Sequence, residues 1–157
     1  MHQLIMFNVK FNLHMVSRSI FIWFVIFQCY FSVAQNKVLT DYKIIGNQTG
    51  FSQLTSTQLK EYFKGKFTLW NSGKSVKVVL HSSQSQHAPI LAKLIYNTSQ
   101  QGVQKYWLSL VFQGRANPPV FLDNDSDIVN YVTKTPGAIG LIDRNSSCPS
   151  HLIIQFK

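Results

Sequence analysis

Residues 75–89, which read SVKVVLHSSQSQHAP, decide the fold prediction. Residues 76–80 are mostly β-branched or bulky apolar, which is typical of a strand covered on both faces. The polar segment 81–87 follows, and Pro89 suits a first helical turn, where its missing N–H costs nothing. A strand, a hydroxyl-rich loop and a helix in this order indicate an α/β fold and a place where such folds hold anions. An ordinary βα connection made of turn-forming serines fits the same residues.

The N-terminal residues 1–34 are predicted to be a signal peptide. Residues 20–27 (IFIWFVIF) form an unbroken apolar run, and Ser32 and Ala34 supply small residues at the −3 and −1 positions of a cleavage site. The run is shorter than the roughly 20 residues of a membrane span, although an uncleaved anchor remains the alternative. We therefore expect a periplasmic or secreted protein that contacts a membrane only through this transient segment.

The remaining residues, 35–157, are expected to form one domain. Loss of Lys10 and Arg18 with the signal leaves 13 basic and six acidic residues, a net charge of +7. This balance favours anionic partners, but the basic residues are scattered, so no nucleic-acid partner is expected. Cys148 is the only cysteine of this domain and cannot form an internal disulfide.

Strands and helices are predicted to alternate along this domain, which argues for the α/β class. The clearest helix starts at a capping box of Thr55 and Gln58, presents an apolar face and ends near Gly65. Further helices are expected at 89–96, 103–112 and 127–134. Strands are expected at 42–46, 67–70, 76–80, 138–142 and 150–156. Four aromatic side chains are assigned to the core: Trp70, Tyr106, Trp107 and Phe112.

Taken in order, several short motifs resemble one family across about residues 50–143. The resemblance is to the phosphate-binding proteins of ABC importers, and more closely to short secreted relatives with one lobe of the periplasmic binding protein type II fold. It implies a single α/β lobe with a mixed sheet flanked by helices. The motifs are Leu54-Thr55-x-x-Gln58-Leu59-x-x-x-Phe63-x-Gly65-Lys66, Trp70-Asn71, Tyr106-Trp107, Phe112-x-Gly114, Pro118-Pro119 and Thr135-Pro136-Gly137-Ala138-Ile139-Gly140.

The same resemblance implies a ligand site in the polar loop. It assigns binding of phosphate or a similar oxyanion to Ser82, Ser83, Ser85, His81 and His87, in a protein that is not an enzyme. A transporter, a receptor, or a second lobe or protomer is the implied partner. The family's loop carries an arginine and glycines that are missing here. The alternative is therefore an envelope protein-interaction module that kept the scaffold and lost the ligand.

The acidic segment 123–127 imitates the start of a calcium-binding loop but lacks the required later residues. Ile128 replaces the glycine and Lys134 replaces the final glutamate. We interpret the segment as a solvated turn with a helix cap at Asp125 or Ser126. The spacing of histidines and carboxylates predicts no metal site, no cofactor and no catalytic residue.

Overall fold

The structure, a computed structural model, describes residues 39–157, so the predicted signal peptide lies outside the described residues. The strands of the described range are β1 (Tyr42–Gly46), β2 (Gln53–Leu54), β3 (Lys77–His81), β4 (Val120–Leu122), β5 (Ala138–Asp143) and β6 (Ile153–Phe156). Its principal helices are α1 (Ser56–Phe63), α2 (Ala88–Leu91), α3 (Gln100–Phe112) and α4 (Asp125–Lys134). A π-helical turn, Ala92–Tyr96, continues α2, and a 3-10 turn, Ser150–Leu152, precedes β6. In this range no helix has the length and apolar character needed to cross a bilayer.

The strands form one mixed sheet in the order β2-β6-β1-β5-β3-β4. Strand β1 is antiparallel to both of its neighbours, β5 and β6. Strand β3 is parallel to β4 and β5, and β2 is parallel to β6. The predicted class, α/β with a mixed sheet flanked by helices, is confirmed.

Helices cover the two faces of the sheet and make two separate cores. On one face, Val78 and Leu80 pack with side chains of α1, α2 and α3. On the other face, Val79 packs with Ile128 and Val132 of α4. Because successive strand residues point to opposite faces, a strand between two helical layers must be apolar at every position. This explains the unbroken Val-Val-Leu run of β3.

Local signals in the sequence set the start and end of α1. The Thr55 hydroxyl accepts from the Gln58 backbone N–H at 3.2 Å, and the Gln58 side chain accepts from the Thr55 N–H at 3.0 Å. The predicted capping box is therefore confirmed. Gly65 follows the helix with φ +65°, a conformation that glycine adopts at little cost.

Several predicted element boundaries are wrong. Residues 67–70 do not form a strand, and only Leu69 makes a single bridge, to Ser75. Helix α3 begins at Gln100 rather than 103, because Ser99 caps it. Helix α4 is capped by Asn124, whose side-chain oxygen accepts from the Asp127 N–H at 2.9 Å.

The aromatic residues assigned to the core divide into two groups. Trp70 and Trp107 are each 3% exposed, which confirms their assignment. Tyr106 and Phe112 are 37% and 82% exposed, so their assignment is wrong. The buried face of α3 consists of Val103, Trp107 and Leu110. Tyr106 and Phe112 lie outside this face of the helix and therefore remain exposed.

Candidate functional site

The candidate site lies where the parallel strands β3 and β4 end side by side. The loop after β3 leads to α2, which packs on one face of the sheet, whereas β4 leads to α4 on the opposite face. Two neighbouring loops that leave a sheet on opposite faces open a crevice between them. In open α/β sheets, such a point at the carboxyl ends of the strands is the usual ligand position.

An open cleft of about 490 Å³ occupies this crevice. Residues 84–87 of the β3–α2 loop form one wall, and residues 123–126 at the start of α4 form the other. Two glutamines, a serine and a histidine therefore face two aspartates, an asparagine and a serine. The volume falls within the range of small-molecule sites, about 300–1,000 Å³.

His81, the last residue of β3, lies buried at the bottom of the site with 5% of its surface exposed. Its Nε2 is 3.0 Å from the Leu141 carbonyl oxygen, which can only accept, so Nε2 carries the proton in the neutral ring. Nδ1 therefore accepts, and the Ser85 hydroxyl donates to it over 2.9 Å. Burial lowers the pKa of His81, against the opposing effects of the Leu141 hydrogen bond and of Asp125.

His87 lines the cleft and connects it to β1. Its Nδ1 is 3.1 Å from the Tyr42 hydroxyl, and its ring centroid is 5.2 Å from that of His81. Burial raises the pKa of Tyr42 to about 12, helped by nearby carboxylates, chiefly Asp143. The phenol thus stays protonated at neutral pH and can donate to His87, which leaves the other ring nitrogen of His87 to carry a proton.

The serines of the loop differ in their surroundings. The Ser82 hydroxyl donates to Asp123 Oδ1 and accepts from the Gln84 N–H at 3.1 Å. Ser83 is exposed, whereas Ser85 is 8% exposed and bonded to His81. The hydroxyl protons of Ser82 and Ser85 are thus already committed to partners within the protein.

The five residues predicted to bind a ligand gather at one edge of the sheet, but they do not all reach the cleft. Ser85 and His87 line it. His81 is hydrogen-bonded to Ser85, and Ser82 is hydrogen-bonded to Asp123. Ser83 is outside the lining and faces solvent. Two of the five residues therefore line the cleft, and two others are bonded to side chains that line it.

Asp125 is a central residue of the site that the sequence analysis had treated only as a helix cap. Its Oδ2 accepts from the Asp143 N–H at 2.9 Å and from the Ser146 hydroxyl, which fixes the loop after β5 to the start of α4. Its Oδ1 is 3.5 Å from His81 Nε2 and is buried, with no hydrogen-bond partner in the described part of the chain. One carboxylate oxygen thus remains available for a positive charge or a proton donor.

The sequence contained a signal for the acidic wall. The short apolar run that forms β4 follows Pro118-Pro119 and directly precedes Asp123. A strand that ends in acidic residues, beside a strand that ends in a polar loop, predicts side chains that meet at one edge. The pairing of β4 with β3 was not predicted, because the sequence analysis did not identify the three residues of β4 as a strand.

Between residues 39 and 157, no cluster of three or more histidine, cysteine or acidic side chains is arranged to hold a metal ion. The segment 123–127 instead forms the turn that starts α4. Asn124 caps the helix, and Asp125 and Asp127 lie in its first turn, where negative charge is favourable. The carboxylates of this segment therefore belong to the helix start and to the cleft wall.

Comparison with known proteins returns structural neighbours only. No protein-family model matches the chain, and no curated protein sequence matches it. One neighbour is an ABC-type phosphate transport receptor from Vibrio cholerae, at TM-score 0.48 and 20% identity, over 74% of this chain and 46% of the receptor. Another, from Clostridium perfringens, is assigned as a phosphate ABC transporter substrate-binding protein and contains bound phosphate. It aligns at TM-score 0.48 and 18% identity, over 74% of this chain and 45% of its own. The chain thus spans less than half the length of either neighbour.

Proposed function

We propose that this chain is a non-enzymatic solute-binding domain that holds phosphate or a similar small oxyanion in the cleft. The observation that carries the proposal is the position of the cleft, at the carboxyl ends of β3 and β4 where their loops diverge. Polar groups from two loops converge there on one volume of ligand size. The net charge of +7 that remains after loss of Lys10 and Arg18 favours the approach of an anion.

The chemistry of the walls supports an oxyanion that keeps at least one proton. The loop wall, residues 84–87, offers amide, hydroxyl and imidazole donors. The opposite wall carries Asp123, whose carboxylate can only accept hydrogen bonds. Asp125 adds negative charge to this wall, although its oxygens are buried or bonded within the protein. A fully deprotonated anion would meet repulsion there, whereas hydrogen phosphate brings both acceptors and a donor. The cleft should therefore prefer phosphate to sulfate.

Within this proposal, the five predicted residues take different roles. Ser85 and His87 donate to the anion. His81 holds Ser85 and Ser82 holds Asp123, so both act as positioning residues. Ser83 lies on the exposed side of the loop, where it would contact the ligand only if a partner covers the cleft.

A partner over the open side would strengthen binding. A half-solvated ion gains less from each hydrogen bond than an enclosed one, because water screens the interaction. We propose a transporter, a receptor, or a second lobe or protomer for this role. The prediction is a higher affinity in the assembled state than in the isolated chain.

Isothermal titration calorimetry with inorganic phosphate tests the binding claim. We expect saturable heat with phosphate and at least tenfold weaker binding of sulfate. Replacing His87 by Ala should weaken phosphate binding by about 10- to 100-fold, the loss expected for one hydrogen bond to a charged ligand. Ser109→Ala, on the exposed part of α3, is the matched control and should bind like the wild type. Absence of heat at millimolar phosphate would refute the proposal.

The location outside the cytoplasm is a separate proposal. We expect residues 1–34 to be removed during export, so that the mature protein starts at Gln35. N-terminal sequencing of the protein recovered from its native host would show this directly. A start at or before Met15 on protein retained in the cytoplasm would contradict it.

A further inference from the structure

The Ser85 hydroxyl lies between the buried histidine and the cleft. Its oxygen is 2.9 Å from His81 Nδ1, it accepts from the His87 backbone N–H at 3.3 Å, and Ser85 lines the cleft. A hydroxyl has one proton to donate and two lone pairs to accept with. Whether Ser85 can donate a hydrogen bond to a ligand therefore depends on the protonation state of His81.

While His81 is neutral, Ser85 has no proton for a ligand. The Leu141 carbonyl fixes the His81 proton on Nε2, so Nδ1 is bare and takes the hydroxyl proton of Ser85. The oxygen of Ser85 then faces the cleft only with a lone pair, which repels an anion. In this state the Ser85 hydroxyl cannot donate a hydrogen bond to an oxyanion in the cleft.

Protonation of His81 reverses the hydrogen bond. Nδ1 then carries a proton and donates to Ser85, whose two lone pairs are occupied by Nδ1–H and by the His87 N–H. The hydroxyl proton of Ser85 is displaced and has the cleft as its free direction. We propose that His81 and Ser85 form a proton-linked switch, in which the bound oxyanion accepts a hydrogen bond from the Ser85 hydroxyl while His81 takes up one proton from solvent. This inference rests on the proposed function of the site.

The charged and titratable groups around His81 fit such a switch. From α4, Asp125 Oδ1 lies 3.5 Å from Nε2 without a hydrogen bond, ready to stabilise an imidazolium. From β5, the Leu141 carbonyl does the same. From the loop, the His87 ring opposes a second positive charge, and Tyr42 of β1 is bonded to His87. Burial lowers the pKa of His81, so the ring is neutral at rest, and an arriving anion adds the charge that favours protonation.

The switch changes one covalent bond and moves one proton. One N–H bond forms at His81 Nδ1 with a proton from the buffer, and no other covalent bond changes. Binding thus takes up as much as one proton per anion, at a pH between the pKa of His81 in the free protein and its pKa in the complex. Within that range the affinity should fall by up to tenfold for each unit of pH. This dependence adds to the titration of the anion itself.

Calorimetry on the full chain isolates the contribution of His81. Phosphate is titrated at about pH 7, just above the ordinary pKa of histidine, in two buffers of different ionisation enthalpy, and the difference in heat gives the protons taken up. The key variant is Ser85→Ala, which keeps His81 but removes the hydroxyl. The protonation of phosphate is common to both proteins and cancels in the comparison. His151→Asn, an exposed histidine remote in sequence, is the control.

We expect the wild type and His151→Asn to take up about one proton more than Ser85→Ala. Their dissociation constants should also rise more steeply with pH, by up to tenfold per unit, whereas Ser85→Ala should bind weakly with a flatter profile. His81→Asn, which cannot titrate, should likewise lose the extra proton. Phosphate binding with equal proton uptake in wild type and Ser85→Ala would overturn the switch and leave the proposed function standing. Absence of phosphate binding at every pH would overturn both.

Discussion

Gly137 is the position at which a single methyl group should damage the fold most. It lies directly before β5 at φ +81°, and a Cβ at this residue would come within 2.2 Å of the Ser75 carbonyl oxygen. The Gly137 N–H donates to Asn47 O at 2.7 Å, and its carbonyl accepts from Lys77 N–H and from the Trp70 indole. These bonds join the loop before β5 to the start of β3 and the end of β1. Gly137→Ala therefore strains the middle of the sheet.

The expected loss in the free energy of unfolding has two parts. A residue with a Cβ is destabilised by about 1–2 kcal/mol in the left-handed region, and crowding against a fixed neighbour adds about 1–3 kcal/mol. Gly137→Ala should therefore lower the free energy of unfolding by about 2–5 kcal/mol. Domains of this size are stable by only about 5–15 kcal/mol. The substitution should remove a large fraction of that stability.

Gly114→Ala is the matched control. Gly114 has φ +64°, and no atom lies within 4 Å of the position that its Cβ would occupy. It should lose only the conformational cost of about 1–2 kcal/mol. Urea unfolding followed by tryptophan fluorescence measures both variants against the wild type. If Gly137→Ala loses no more than Gly114→Ala, the close approach to Ser75 is not as tight as the structure indicates, and the reasoning fails.

Three further predictions concern buried and capping groups. Because burial lowers the pKa of His81, unfolding releases a ring that binds protons more readily, so stability should fall as the pH drops below about 6.5. Denaturant titrations on either side of that pH check this, and His81→Asn should lose the dependence. Ser99→Ala removes the cap of α3 and should cost about 1 kcal/mol, measured by thermal unfolding with exposed Ser109→Ala as control. Tyr42→Phe removes the bond to His87 and should cost about 1 kcal/mol. An ultraviolet titration should then also lack the tyrosine that ionises at about pH 12.

The sequence was most informative where a local physical signal sets the structure. The apolar run of β3 indicates a strand covered on both faces, and the fold places helices on both. The pair Thr55 and Gln58 predicts a helix start from two hydrogen bonds within four residues. Gly140 sits in a small apolar strand where a Cβ would come within 2.8 Å of Ile128, as close packing of that strand requires. In each case the interaction that decides the structure involves neighbouring residues or a simple alternation.

The candidate site was less predictable because several of its bonds join distant parts of the chain, although the bond between Ser85 and His81 is local. Ser82 and Asp123 are 41 residues apart, and His81 and Leu141 are 60 residues apart. Which groups of β5 and of the segment after β4 meet His81 and Ser82 depends on strand order, and residue type alone does not settle that order. The sequence thus located the loop but not the partners of its hydroxyls.

Those partners change how ligand binding at this site should be understood. A loop whose hydroxyls and N–H groups were free would simply add hydrogen bonds when an anion arrives. Here the Ser82 and Ser85 protons already serve Asp123 and His81. An anion must therefore displace an internal bond for each hydroxyl that it uses, and such an exchange leaves little net gain unless the displaced acceptor is satisfied in another way. For Ser85 the displaced acceptor is His81 Nδ1, and a proton from solvent satisfies it. Ser82 stays bonded to Asp123, and the carboxylate of Asp123 can accept from a ligand that bears its own proton. Both routes require protons, so a site built in this way should bind its anion more strongly as the pH falls.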